Sequence, residues 1–210
     1  MCFSNFRFLK TKQKIINQAI KSFNIHGIKN VTHRDIAKAI NISVGNLDYH
    51  FKNKEALLIA IYEQMVKDVS GIYQIDNSDP FLHFNELLNA LEESHNKYSF
   101  FNLDLLEISR NFKEVDALLK KTLLVRKEQV TYFIKLFKEY DYFKPEKNEG
   151  MYMRLQHTMR ILITFWRSQQ EILSNYTVSE SENMTFYIWE LLLPHMTEKG
   201  LIAYKNFSKK

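Results

Sequence analysis

The sequence predicts an all-α protein of about nine helices. Apolar residues recur at three- and four-residue spacing along nearly the whole 210-residue chain, and no segment shows the alternation typical of a β-strand. Glycine and proline are rare, at 5 and 3 residues, which disfavours a loop-rich scaffold. The 45% hydrophobic content excludes a disordered chain. We therefore expect one large domain or two smaller ones around a sizeable core.

The first two helices have clear apolar faces and ends. The stripe of the first consists of Ile15, Ile16, Ala19, Ile20 and Phe23. Gly27 is expected to stop this helix. Thr32 followed by Asp35 predicts a capping box at the start of the second helix. Asn41, which tolerates the left-handed conformation, is expected to end it.

The third and fourth helices are each preceded by a capping residue. Ser43 is expected to cap a short helix to about Phe51, with Leu47 facing inward. Asn53 is expected to cap the fourth helix. Because the apolar stripe of this helix is longer than packing against the first three helices requires, we expect it to link two bodies. That stripe consists of Leu57, Leu58, Ile61, Met65, Val69 and Ile72.

Five further helices are predicted after a turn over residues 75–80, where Pro80 occupies a helix start. They span Phe81 to about Lys97, Phe100 to about Asn111, Lys113 to Tyr140, Lys147 to Ser174 and Ser181 to Lys199. Pro194 falls within the last of them, so that helix is expected to be kinked or shorter.

Charge is distributed unevenly along the chain. Residues 1–54 carry ten basic and two acidic side chains, a net +8, whereas residues 55–210 carry 19 basic and 22 acidic ones, a net −3. This division is typical of a polyanion-binding module attached to a body with another role. A merely uneven surface charge is the alternative.

The compartment is expected to be the cytoplasm. The single cysteine, Cys2, excludes an internal disulfide and a thiolate metal cage. No uncharged apolar run approaches the roughly 20 residues that span a bilayer, so no membrane partner is expected. The first ten residues lack the features of a signal peptide.

Enzymatic activity is not expected, and neither is a metal or a cofactor. Glycines at positions 27, 45, 71, 150 and 200 cannot form a phosphate-binding loop, and no HExxH motif is present. Glu92 and His95 form a single Glu-x-x-His pair, whereas a di-iron bundle needs two. No catalytic residue is therefore assigned.

A helix-turn-helix is predicted around the turn at residues 41–43. If Leu47 and Phe51 face the core, Gly45 and Tyr49 point directly away at about 100° per residue. Asn46 and Asp48 then lie on the flanks of that outer face. Gly45 permits close approach to a major groove, while the neighbouring polar groups supply hydrogen bonds.

Three stretches carry a resemblance to a known family: Thr32-His-Arg-Asp-Ile-Ala, Ser43-Val-Gly-Asn-Leu-Asp-Tyr-His-Phe and Lys54-Glu-Ala-Leu-Leu. Together they resemble the DNA-binding domain of the TetR family of bacterial transcriptional regulators, over about the first third of the chain. The resemblance implies that Thr32, Tyr49, His50 and Lys54 contact DNA phosphates. Base reading would fall to Val44, Gly45, Asn46 and Asp48. Arg34, in the first stretch, completes the expected DNA-binding set.

The sequence departs from the family pattern at three positions. Asp48 stands where a tyrosine or another neutral residue is usual, so it either selects a cytosine or pairs with a nearby Lys or Arg. Asn46 replaces the usual threonine, which puts the base preference in question. Asn41 replaces the usual turn glycine, a change expected to be neutral. Lys10, Lys12 and Lys14 could form an arm on DNA, but a solvated, disordered start is the favoured interpretation.

The resemblance further implies a repressor that binds a palindromic operator as a homodimer and is released by a small-molecule ligand. It divides the chain into a DNA-binding domain at residues 8–70 and a regulatory and dimerisation domain at residues 75–205. The interface candidates are Leu155, Met159, Leu162, Phe165, Trp166, Ile172, Ile188, Leu191 and Leu192.

The ligand pocket candidates are Tyr98, Phe101, Arg154, His157, Arg160 and Trp166. Positive charge beside aromatic rings would suit an acidic amphipathic ligand. The alternative, a core lined by aromatic rings with Arg and His at its edge, is favoured. A helical protein-interaction module without DNA-binding activity remains the alternative function, prompted by Asp48.

Overall fold

The computed structural model describes residues 2–70, 79–173 and 183–209. Within them the chain forms α-helices joined by short turns, and the only β-type pairing is an isolated bridge between Phe143 and Met196. The helices are α1 Cys2–His26, α2 His33–Ala39, α3 Val44–His50, α4 Lys54–Ser70, α5 Pro80–Lys97, α6 Ser99–Leu103, α7 Leu105–Asn111, α8 Lys113–Glu139, α9 Met151–Ile172, α10 Met184–Leu192 and α11 Glu198–Phe207. The predicted all-α class is confirmed, but this part of the chain holds eleven helices instead of about nine.

The first helices begin and end where the sequence predicts. Gly27 follows α1 with a φ of 74°, and Asn41 follows α2 with a φ of 56°. Thr32 and Asp35 form the predicted capping box of α2. Ser43 accepts a hydrogen bond from the Asn46 amide at the start of α3. These caps satisfy amide groups that a helix cannot pair internally.

Two of the predicted helix boundaries are wrong, and the shortening expected at Pro194 is present. The helix predicted over residues 100–111 is two helices, α6 and α7, which meet at Asp104. The last predicted helix breaks because Pro194 has no amide hydrogen, so α10 gives way to a 3-10 turn at Leu193–His195. The helix expected from about Lys147 begins at Met151, after Gly150 adopts a φ of 73°. The predicted turn at residues 75–78, Ser174 and the predicted start at Ser181 lie outside the described residues.

The chain divides into two compact units. The first comprises residues 1–68 and 94–119, and the second comprises residues 69–93 and 120–210. In the first unit, α1 to α4 pack on α6 and α7 around a shared core. Its fully buried members include Ile15, Phe23, Leu47, Leu57, Leu58, Tyr98 and Phe100. The helix-turn-helix therefore shares its core with residues that are distant in the sequence.

Aromatic side chains dominate the core of the second unit. Phe81 is buried and lies with its ring centroid 5.1 Å from that of Phe137 and 5.7 Å from that of Trp189. The indole nitrogen of Trp189 donates to Asn85 across 2.9 Å, so its polar group is satisfied inside the core. Much of the aromatic content is thus core packing.

The described residues hold neither a helix that could span a membrane nor a cluster that could bind a metal ion. None of their helices has both the length and the apolar character needed to cross a bilayer. In the same part of the chain, no three His, Cys, Asp or Glu side chains cluster closely enough to hold a metal ion.

Gly200 gives a direct test of the second unit. A Cβ at this position would lie 2.2 Å from the carbonyl oxygen of Tyr142 and 3.0 Å from its carbonyl carbon. Backbone cannot move aside cheaply, so we expect Gly200→Ala to destabilise the protein by more than about 2 kcal/mol, measured by thermal or urea unfolding. Lys205→Ala, at an exposed position of the same helix, is the control and should unfold like the unsubstituted chain. Equal stability of both variants would show that α11 is not docked on Tyr142.

Candidate nucleic-acid interface

The α2 and α3 helices meet through a tight turn. The Ile42 amide donates to Ala37 across 3.0 Å and the Asn41 amide donates to Lys38 across 3.3 Å, which closes the end of α2. Leu47 is fully buried and Phe51 is 3% exposed. The predicted helix-turn-helix is therefore present, with the predicted residues facing its core.

The outer face of α3 is open. An added Cβ on Gly45 would meet no atom within 4 Å, and Tyr49 is 77% exposed. Val44 and Asn46 are exposed on the same helix. Small and polar groups on an exposed helix are what the major groove of B-DNA admits. The structure thus brings together the residues to which base reading is assigned.

Asp48 is paired, but with neither a lysine nor an arginine. Its Oδ1 lies 2.7 Å from Nδ1 of His33, the first residue of α2. No sequence pattern predicts this partner, because fifteen residues separate His33 from Asp48 and no motif relates them. The one signal was the unusual carboxylate itself, which requires some partner near the DNA phosphates.

The Thr32 hydroxyl is occupied within the protein. It donates to Asp35 Oδ2 across 2.5 Å and accepts from the Asp35 amide across 3.3 Å. The hydroxyl hydrogen bond holds the pKa of Asp35 below its ordinary value. A phosphate accepts hydrogen bonds only, so the hydroxyl would have to leave Asp35 to bind one. The predicted phosphate contact of Thr32 stays a prediction.

Lys54 begins α4, as predicted, and supports the fold from there. Its Nζ donates to the Ile28 carbonyl across 2.8 Å, and the Ile28 amide donates to Asp104 Oδ2 across 2.7 Å. Partial burial lowers the pKa of Lys54, and the charge of Asp35 opposes this shift. An ammonium group has three donors, so those not used on Ile28 can serve a phosphate.

Tyr49 and His50 have neighbouring rings at the end of α3. Their centroids lie 5.7 Å apart in an edge contact. Burial lowers the pKa of His50, and the positive charge of Lys12 lowers it further. Both effects disfavour the charged imidazolium in the chain without DNA. Arg34 is exposed on α2.

The interpretation of residues 10–14 as a disordered start is wrong. All three lysines of this stretch lie within α1. The Lys12 ammonium group sits 5.5 Å from the centroid of the Phe51 ring, a cation–π distance. This contact ties α1 to the end of α3.

The six pocket candidates fall in different units. Tyr98 and Phe101 are buried in the core of the first unit, where the Tyr98 hydroxyl donates to Asp68 across 2.6 Å. The other four, Arg154, His157, Arg160 and Trp166, lie on α9 of the second.

On α9, Arg154 binds the side chain of Asn148 and the carbonyl of Glu149, while Arg160 binds His157 across 2.8 Å. The Trp166 ring lies 5.0 Å from that of Tyr187. Their role in ligand binding stays a prediction.

Comparison with known proteins yields two family matches. Residues 61–204 match the family described as "TetR: Bacterial transcriptional repressor", and residues 15–61 match "Bacterial regulatory proteins, tetR family". The chain is 41% identical over 56 residues to the "Probable acrEF/envCD operon repressor" of Escherichia coli (strain K12). It is 46% identical over 56 residues to the biofilm operon icaADBC negative transcriptional regulator IcaR of Staphylococcus aureus (strain Newman). These alignments cover 27% of this chain, and 26% and 28% of the two relatives, about a quarter of their length.

Solved structures share the fold across most of the chain. A TetR-family transcriptional regulator from Marinobacter aquaeolei VT8 aligns with a TM-score of 0.83 at 20% identity, covering 95% of this chain and 98% of that one. The fatty acid degradation regulator FadR from Bacillus halodurans aligns with a TM-score of 0.65 at 19% identity, covering 87% and 93%. At such identities these likenesses establish the fold.

Gly45 separates a reading role from a structural one. Because open space surrounds its Cβ position, Gly45→Ala should leave the free energy of unfolding unchanged or raise it by up to about 1 kcal/mol. An added methyl group on a face pressed against the groove should nevertheless lower affinity for a bound duplex by about tenfold or more. Thermal unfolding and fluorescence anisotropy measure the two effects on one sample. Unchanged DNA affinity would place Gly45 away from the DNA.

Proposed function

The chain belongs to the TetR family of bacterial transcriptional regulators, and from this premise we propose that it is a repressor that binds a palindromic operator as a homodimer and is released by a small-molecule ligand. We assign operator binding to residues 8–70, and regulation and dimerisation to residues 75–205. We place the protein in the cytoplasm. The observation that carries the proposal is the open face of α3, where Gly45 and Tyr49 point outward from a capped helix-turn-helix.

Charge supports the same proposal. The net +8 of residues 1–54 lies on the part of the chain that holds α1 to α3. Neutralising phosphates with such groups releases counterions, so affinity should fall steeply as salt rises. The alternative of a protein-interaction module is not favoured, because both family matches are to transcriptional regulators.

Selection of bound duplexes from a random pool, followed by sequencing, tests the proposal. We expect a palindromic site, because a dimer with two-fold symmetry presents two equivalent reading helices. Tyr49→Ala should weaken all selected sites alike, whereas Asn46→Ala should change which sites are selected. Failure of the unsubstituted chain to retain any duplex after several rounds would contradict the proposal.

The second unit offers a surface for dimerisation. Ile161, Phe165 and Ile172 project from one side of α9 and are 50%, 48% and 80% exposed. Phe186 on α10 is 43% exposed. Other interface candidates, such as Met159, Ile188 and Leu192, are buried in the core of the unit. Exposed apolar side chains at helical spacing favour a helix-to-helix interface between two copies.

Phe165→Glu tests this surface. A carboxylate at the centre of an apolar interface would lose its hydration, so we expect the dimer to dissociate at a concentration about tenfold higher or more. Sedimentation velocity over a concentration series measures the effect. Ile202→Glu is the matched control, since Ile202 is an apolar residue of similar exposure, 57%, on a different helix, α11. Equal weakening by both substitutions would contradict the assignment to α9.

The ligand is proposed to be acidic and amphipathic. Arg160 and His157 place a guanidinium group and an imidazole side by side on α9, and Trp166 follows on the same helix. A carboxylate could bind the guanidinium group while an apolar portion packs against the ring. Displacement of the chain from its selected operator by a panel of long-chain carboxylic acids tests this assignment, with Arg160→Gln expected to reduce the response.

A further inference from the structure

A carboxylate on the reading helix is held by a histidine from the neighbouring helix. We propose that His33 and Asp48 act as one base-reading unit, in which His33 positions Asp48 and Asp48 accepts a hydrogen bond from the exocyclic amino group of a cytosine in the major groove. The inference rests on the proposed DNA-binding function and adds a positioning residue and a stated base to it.

The contact between His33 and Asp48 defines which atom donates and which atom accepts. His33 opens α2, and Asp48 lies on the flank of α3, one residue before the exposed Tyr49. An ionised carboxylate can only accept, so Nδ1 of His33 donates across the 2.7 Å that separates it from Asp48 Oδ1. The other ring nitrogen, Nε2, is buried and has no hydrogen-bond partner among the described residues. The imidazole therefore meets the carboxylate with a defined edge.

The hydrogen bond from His33 to Asp48 Oδ1 leaves the second carboxylate oxygen, Oδ2, to accept from a base. Within the described part of the chain, Asp48 Oδ2 has no protein donor, and the Asp48 side chain is 49% exposed while that of His33 is 15% exposed. His33 thus occupies one oxygen of a half-exposed carboxylate and leaves the second oxygen without a donor from the described residues. A side chain already held in one rotamer loses little conformational entropy when it binds.

The chemistry of the groove selects the base. Guanine presents two acceptors to the major groove and thymine presents a carbonyl oxygen, and both repel a carboxylate. Adenine presents an amino group beside the N7 acceptor, whereas cytosine presents its amino group without an acceptor on the same base. A negative charge among phosphates is costly unless it finds such a donor. The pair therefore favours cytosine at one position of each half-site, binds adenine less well because N7 lies beside its amino group, and is repelled by guanine and thymine.

The experiment compares base preference at each operator position across four full-length variants. Duplex selection and sequencing are repeated with Asp48→Asn, His33→Ala, His33→Asn and the control His26→Ala, which alters an exposed histidine at the end of α1. We expect the unsubstituted chain to prefer cytosine at one half-site position by about tenfold. Asp48→Asn and His33→Ala should lose most of that preference while the rest of the palindrome is retained. His33→Asn, whose amide can place a donor near the original Nδ1, should restore it, and His26→Ala should not change it.

The outcomes are distinguishable. If Asp48→Asn and His33→Ala still bind the palindrome with an unchanged preference at every position, the pair is only a staple between α2 and α3, and the inference is overturned. If His33→Ala binds all duplexes more weakly but keeps the cytosine preference, His33 does not position Asp48. If the unsubstituted chain selects no duplex, the proposed function fails and the reading role fails with it. Circular dichroism of each variant identifies any loss of fold, and the near-isosteric Asp48→Asn keeps the test decisive if His33→Ala unfolds.

Discussion

The proposed reading surface, which is the exposed face of α3, depends on the main chain of one residue, Ile28. Its amide donates to Asp104 and its carbonyl accepts from Lys54, and its side chain is 1% exposed. A buried main-chain N–H or C=O group needs a hydrogen-bond partner, because leaving it unsatisfied costs about 1–3 kcal/mol. The two bonds fix the turn between α1 and α2 from opposite sides, and that turn sets where the capping Thr32 begins the helix-turn-helix. Asn24 adds to this support by donating to the Lys97 carbonyl and accepting from the Phe100 amide.

Several residues predicted to contact DNA therefore also make hydrogen bonds that stabilise the fold. Thr32 caps α2, Lys54 supports Ile28, and His33 binds Asp48 across the two helices. The same polar groups that satisfy helix ends lie near the face that would meet a duplex. Substitutions at these positions must consequently be read with a stability measurement beside the affinity measurement, since loss of either can mimic loss of the other. Gly45, where an added Cβ would meet no atom within 4 Å, avoids that ambiguity.

Sequence signals that act over a few residues predict the helix-turn-helix well. They do not predict hydrogen-bond partners that lie far apart in the sequence. Caps and left-handed residues such as Ser43 and Gly27 act within a few positions, so the sequence reveals them directly. The break at Asp104 could not be predicted, because its carboxylate serves a backbone amide 76 residues away. His33 and Asp48 are partners for the same reason. The start of α9 was misplaced because Glu146, which accepts from the Gly150 amide, acts as a cap from outside the helix. Aromatic residues gave no signal that separates core from pocket.

We conclude that Asp104, a residue outside the helix-turn-helix, holds the proposed DNA-reading face in place through Ile28. The most direct measurement is the operator affinity of the full-length Asp104→Ala variant at a temperature where circular dichroism shows it to be folded. Because the Ile28 amide would lose its acceptor and the turn before α2 would loosen, we expect affinity at least about tenfold weaker, with helical content retained. Affinity equal to that of the unsubstituted chain would contradict it.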